Sequence, residues 1–299
     1  MMTKTNYSKP FLSYTAQLTL LKSRGLNFSD ENKAIHLLER IGYYRLSGYW
    51  YPLLADKQNH VFKPDANFDT AFSLYKFDCE LRKIISVEIE KIEVAVRSKM
   101  GYELSTAYNP FWIEDVNLFS SAENFQITLD KIVEEYLRSN EEFILSFKSK
   151  YSNPLPPAFI ILEITSFGTL SRLYRNLKSS RAKRNVAKSF ALPDTVFDSW
   201  LHSLTCVRNM CAHHARVWNS LLKIQPLSPR NPQNTWLSDN TVHTNRIYYV
   251  LSIIVYFLNN VNPNHMFKQK LEKLFLKYPN VDKAAMGFPN NWLNEPLWT

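Results

Sequence analysis

The stretch FDTAFSLYKFDCELRKIISVEIEKIEVAVRSKMGYEL, residues 68–104, decides the fold class. Leu74, Phe77, Leu81, Ile84, Ile85, Ile89, Ile92 and Val96 recur at three- and four-residue steps, the spacing of one apolar stripe on a long helix. Asp78, Arg82, Glu90, Glu93 and Arg97 fall along its flanks, where Asp78 with Arg82 and Glu93 with Arg97 have i,i+4 spacing. Asn109-Pro110 ends the region.

Helical spacing continues on both sides of it. Residues 15–24 read as a helix stopped by Gly25, and 30–41 as a second with Asp30 as N-cap. Further helices are expected over 122–150, 158–177, 194–222, 245–260 and 265–277, with PLPP at 154–157 as a firm break and 225–243 as an irregular excursion. The acids Glu134, Glu135, Glu141 and Glu142 read as a solvated face. The chain has only 6 glycines, so Gly-rich phosphate loops are excluded. The expectation is an all-α protein: a helical core over 66–224, a helical extension over 1–65, and a loop and helices over 225–299 packed on the core.

The segment IGYYRLSGYWYPLL, residues 41–54, interleaves aromatics with Arg45. Such a cluster serves either to pack two helices together or to stack RNA bases. The longest apolar run, Ile247 to Leu258, holds twelve residues and suits a buried helix better than a membrane span. The three cysteines, Cys79, Cys206 and Cys211, form no C-x-x-C. That usage, and a start without a basic-then-apolar leader, leads us to expect a cytoplasmic protein with no metal site and no cofactor.

Lysine and arginine outnumber aspartate and glutamate by 36 to 27, a net +9. Residues 171–190 concentrate the excess: Arg172, Arg175, Lys178, Arg181, Lys183, Arg184 and Lys188, with no acid. Phosphate attraction is one use of such a patch, and a solvated amphipathic helix pair is the other.

Residues 203–219, SLTCVRNMCAHHARVWN, carry the candidate chemistry. On a continuous helix, Leu204, Val207, Cys211, His214, Trp218 and Leu221 form a core stripe, which makes His214 a core histidine. Thr205, Asn209, His213 and Arg216 take another face, and Arg208 stands between the two. A histidine among an amide and arginines suits proton transfer beside a phosphate, while arginine holds its charge and forks onto phosphate oxygens. RNA carries its own nucleophile, the 2′-OH, so a base, an acid and a cation suffice to cut it. An Arg followed by His is by itself a weak pattern, and surface ion pairing explains it equally well.

RNMCAHHARVWN, residues 208–219, resembles the Arg-x4–6-His signature of the HEPN superfamily of ribonucleases. More narrowly, the chain resembles the Abi_2 family, the AbiD/AbiF-type abortive infection proteins. KPFLSYTAQLTLLKSRGL, IGYYRLSGYWYPL, the 74–97 helix, ILEITSFGTLSRLYRNL and MGFPNNWLNEPLW carry the likeness in that order. The resemblance implies a HEPN-like helical bundle and a metal-independent endoribonuclease with a toxin-like, anti-phage role. It matches Arg208 and His213 to the signature ends and Asn209 to the polar residue after the arginine. His214 satisfies the looser spacing, and Glu163 is similar to an acid found near such sites. Ala215 stands where some members carry a tyrosine. The resemblance further implies a homodimer, since one Arg–His pair must supply both acid and base. It implies an RNA substrate bound by Arg172, Arg175, Lys178, Arg181, Arg184 and Arg216, and an antitoxin that is a protein or a small structured RNA. Two other classes stay open: a non-catalytic RNA-binding module, and a helical scaffold in a phage-sensing complex.

Overall fold

A computed structural model describes residues 6–299; residues 1–5, on which the expectations for the start of the 1–65 extension and for a leader fall, lie outside the described residues. The fold is all-α, with twelve α-helices and one two-stranded sheet among the described residues. The chain forms two compact units.

The first unit holds the chain up to Glu80 together with Leu274–Val281. It contains α1 (Tyr14–Ser23), α2 (Glu31–Ile41), α3 (Tyr43–Trp50), the antiparallel hairpin β1 (Leu54–Asp56) and β2 (Val61–Phe62), and the first turns of α4 (Phe68–Ala107). Asp30 caps α2 by accepting from the Lys33 amide at 3.0 Å. Gly42, at φ +92°, ends α2 and starts α3 with no residue between, a corner that favours glycine. The 41–54 aromatics divide by exposure. Tyr49 and Trp50 are buried, and the Tyr49 hydroxyl donates to the buried Asp78 carboxylate at 2.6 Å. Tyr44 is 90% exposed.

The second unit holds Leu81–Lys273 and Asp282–Thr299. Within it, Leu81, Ile85, Ile89, Ile92, Val96, Met100 and Leu104 of α4 are fully buried, as the stripe required. Around them stand α5 (Ala122–Arg138), α6 (Glu142–Lys150), α7 (Ala158–Ile164), α8 (Phe167–Asn176), α9 (Arg181–Lys188), α10 (Asp194–Ala212), α11 (Ile247–Val261) and α12 (Phe267–Lys277), the last running on into the first unit. Helix α10 packs on α8, α9 and α11, and α5 packs on α7 and α8. Every residue from Ile247 to Leu258 of α11 is buried, so this run is an interior helix. No helix among the described residues is long and apolar enough to cross a membrane.

Two of the expected helices are broken. The 122–150 helix splits at Ser139, where Lys148 Nζ reaches back to the Tyr136 carbonyl at 2.9 Å and satisfies the end of α5. The 158–177 helix splits at Thr165-Ser166: Thr165 turns extended, and Ser166 caps α8 by accepting from the Thr169 amide at 3.2 Å. Glu135 is therefore no solvated acid. Its carboxylate accepts from the Ser166 amide at 3.2 Å at the start of α8, where the helix dipole favours it.

The tail is fastened to this unit. Trp292, Leu297 and Trp298 are buried, and Trp298 Nε1 donates to Ser252 Oγ at 3.1 Å. Gly287, at φ +88°, lies against Arg246: a Cβ there would stand 2.5 Å from the arginine Cβ.

Candidate active site

Helix α10 is built as an amphipathic helix that ends early. Phe197, Trp200, Leu201, Leu204, Val207 and Cys211 are buried. The helix does not continue to 222; it stops at Ala212. His213 is the C-cap, and His214 turns left-handed at φ +55°. The His214 amide then bonds the Cys211 carbonyl at 3.1 Å, and the Ala215 amide bonds the Met210 carbonyl at 2.8 Å. These are the two closing bonds of a Schellman motif with histidine in place of the usual glycine.

This ending corrects the assignment of His214. It is exposed rather than part of a core stripe, and its position is that of the residue that terminates the helix. Leu221 is likewise exposed, whereas Trp218 is buried from the irregular segment that follows. Thr205 is also reassigned: it is buried, with its methyl group facing Gly168 of α8. Arg216 lies half-buried beyond the helix end, so helical spacing no longer sets it beside His213.

Arg208 is held from behind by α4. Its Nε stands 3.9 Å from Glu93 Oε2, while 41% of its side chain stays exposed. Glu93 also accepts from Arg97 Nη2 at 3.0 Å. Arg97 Nη1 lies 3.9 Å from Glu163 Oε2, and its Nη2 donates to the Thr165 carbonyl at 3.2 Å. The result is a row of alternating charges, Glu163–Arg97–Glu93–Arg208. Glu163 is half exposed at one end and meets Arg208 only through the two residues between them. Burial pushes the Glu93 carboxyl above its ordinary range, and the charges of Arg97 and Arg208 oppose that rise without cancelling it.

Asn209 links the signature ends. Its side-chain oxygen accepts from Arg208 Nη1 at 3.4 Å, and its carbonyl accepts from the His213 amide at 2.9 Å. His213 itself is exposed. A second brace comes from the nearly buried Arg82 of α4, whose Nη1 donates to the Ala215 carbonyl at 3.3 Å. Helix α4 thus supports α10 at both ends of the Arg208–His213 stretch. In the sequence Glu93 with Arg97, and Arg82 with Asp78, stand out only as i,i+4 pairs on the flanks of one helix; periodicity gives no sign of such tertiary partners.

The basic stretch forms a surface on α8 and α9. Arg172, Lys178, Arg181, Arg184 and Lys188 are exposed. Arg175 is exposed too, but its Nε bonds both carboxylate oxygens of Asp198 on α10 at 3.1 Å. Lys183 serves the fold instead. Its Nζ caps the end of α8 through the Leu177 carbonyl at 2.8 Å and the Arg175 carbonyl at 3.2 Å. Burial lowers its pKa accordingly. Asp198 precedes Arg208 by ten residues, so the Arg175 anchor and the Arg208 site lie roughly 15 Å apart along α10. Among the described residues no group of three or more His, Cys, Asp and Glu side chains is placed to hold a metal ion.

A family model described as Abi-like protein covers residues 36–219, which includes Arg208, His213, Glu93, Arg82 and the α8–α9 surface. No curated protein and no solved structure matches the chain.

Proposed function

The chain belongs to the Abi-like protein family, and from that premise we propose that it is a metal-independent RNA endonuclease of the HEPN type, serving abortive infection as an anti-phage defence. One observation carries the reading. Arg208 stands 3.9 Å from the Glu93 carboxylate yet keeps an exposed face, and five residues on His213 is exposed as the C-cap of the same helix. A permanent cation and a titratable group are thereby offered to solvent on one rigid element, positioned by α4.

In this reading Arg208 steadies the negative charge that builds on the phosphoryl oxygens when the 2′-OH attacks the phosphorus. His213 moves a proton, either from the attacking hydroxyl or onto the departing 5′ oxygen. Asn209 orients the pair. Glu93 acts through Arg208 as a positioning residue, and Glu163 through Arg97. With His213 as the working histidine, one chain offers one Arg–His pair for two proton transfers, which supports a homodimer that faces two α10 ends across one composite site. The exposed cations of α8 and α9 supply sequence-independent attraction for the strand. An endonuclease of this kind needs restraint in its host, so a protein or structured-RNA antitoxin belongs to the same proposal.

Expression in cells tests it. The parent chain should slow growth and fragment cellular RNA once restraint is lifted, and the Arg208→Ala/His213→Ala double variant should do neither. Equal toxicity of the two would remove the site assignment. RNA binding without cleavage by the parent under any condition would favour a non-catalytic RNA-holding module, which needs only the α8–α9 surface.

A further inference from the structure

The reaction proposed above leaves a wide cleft of the first unit unused. This cleft encloses about 740 Å³ between the segment before α1, α1 itself, the start of α3 and the β1–β2 hairpin. That is the size range of small-ligand sites, roughly 300–1,000 Å³. Its walls combine two chemistries. Tyr44 and Phe11 are almost wholly exposed, Tyr7 is 81% and Tyr51 47% exposed, four large rings left to solvent in one concavity. Behind them, Tyr43 is set edge-on against the buried Trp50, with centroids 5.0 Å apart, so this wall is rigid. The charged lining is basic, Arg24 and Lys9, joined by the imidazole of His60, with no Asp or Glu among the described residues that line the cleft. Arg24 Nη1 lies 3.2 Å from the Tyr43 hydroxyl, and Lys57 Nζ stands 5.3 Å over the Tyr51 ring, which brings a third cation to the rim.

Exposed rings select a flat apolar partner, and an acid-free basic lining selects an anionic one. A neutral peptide or an acyl chain would satisfy the rings and leave the cations unanswered, and an acidic side chain would answer the cations without offering the rings a flat face. An unpaired nucleotide satisfies both, because every base has a π face and every link carries a phosphate. We propose that this cleft binds an unpaired nucleotide of a single-stranded RNA, with Tyr44 and Tyr51 offered to the base and Arg24 and Lys9 to the phosphate. The ligand class is shared with the endonuclease reading and rests on it; the residues are not.

The test uses the full parent chain and a fluorescent 12-mer of 2′-O-methyl RNA, which lacks the attacking hydroxyl and stays intact whatever α10 does. Anisotropy titrations compare the parent with Tyr44→Ala, Tyr44→Phe and Arg24→Gln, on single-stranded and duplex probes. Tyr44→Ala should weaken single-strand binding about 5- to 100-fold, the loss of one stacking platform. Tyr44→Phe, which keeps the ring, should bind like the parent, and Arg24→Gln should flatten the salt dependence. Duplex binding should not change. Parent-like affinity of Tyr44→Ala, or an equal loss on duplex, overturns the proposal. So does displacement of the probe by AMP as readily as by an unlabelled strand, which would make the ligand a free nucleotide. If cleavage fails while these results hold, the endonuclease falls and the cleft stands; if cleavage is intact while Tyr44→Ala binds like the parent, the reverse is true.

Discussion

Arg208 Nε lies 3.9 Å from Glu93 Oε2, joining the candidate catalytic helix to a carboxylate that is 13% exposed on α4. The same carboxylate accepts from Arg97, so one nearly buried acid positions two arginines. Such an arrangement fixes the guanidinium without neutralising its outward face.

Glu93→Gln should therefore act on activity more than on folding. We expect cleavage to fall about tenfold in kcat with little change in KM, since an arginine released by about 1 Å is misplaced for the transition state. The pH dependence has two opposed signs. The folded pKa of Glu93 is raised, so the native state holds its proton more tightly than the unfolded chain does. Its contribution to stability is full below the ordinary value of 4.5 and is lost as pH rises through the raised value. The positioning role requires the carboxylate, which forms through the same window. Measured from pH 4 to 7, the stability difference between the parent and Glu93→Gln should fall as pH rises, while the ratio of parent to variant kcat should rise.

The two histidines should separate cleanly. His213→Ala should lower cleavage about 10²- to 10⁴-fold, the usual worth of a general acid or base. His214 holds φ +55°, where a non-glycine residue costs about 1–2 kcal/mol. His214→Gly should keep cleavage and hold stability within about 1 kcal/mol of the parent. Loss of cleavage in His214→Gly equal to that in His213→Ala would reverse the assignment.

Glu88 gives a contrasting acid limb. Its carboxylate is fully buried and takes Lys270 at 2.5 Å and Lys91 at 2.7 Å. Burial works to raise its pKa, but the two lysines prevail and hold it below the ordinary value of 4.5. The stability it contributes is present above that value and is lost as pH falls through the lowered one. Glu88→Gln should cost about 2 kcal/mol at neutral pH, the scale of charge-assisted hydrogen bonds. Denaturant titration at pH 7 and at pH 3 measures it, and the difference between parent and variant should shrink at the lower pH.

Gly287→Ala should cost about 2 kcal/mol or more. The backbone there is left-handed at φ +88°, and the new methyl would meet the Arg246 stem at 2.5 Å. Arg246 cannot simply withdraw, because its Nη1 bonds Asn219 Oδ1 at 3.3 Å and the Ala285 carbonyl at 3.2 Å. A urea midpoint unchanged from the parent would refute this.

The all-α fold was legible because α4 and α11 repeat apolar residues at helical spacing, a signal that survives without tertiary information. The end of α10 was not. His214 carries the left-handed turn without glycine, and Val217 and Trp218 continue the apolar pattern past the break, so periodicity read straight through it. The breaks at Ser139 and Thr165-Ser166 depend on caps supplied locally and on Glu135, distant in sequence. At the candidate site, Arg208, Asn209 and His213 were visible as a motif. Glu93, Arg97 and Arg82 were not visible as their supports, because contacts between α4 and α10 span more than a hundred residues and leave no local spacing to read.

The most direct measurement is cleavage of a defined single-stranded RNA by purified protein in EDTA, with the new ends analysed chemically. The parent should leave 2′,3′-cyclic phosphate and 5′-hydroxyl ends, the signature of 2′-OH attack, and the Arg208→Ala/His213→Ala double variant should leave the strand whole. Cleavage by the double variant at the parent's rate, or parent products with 5′-phosphate ends, would contradict the assignment of this chemistry to the end of α10.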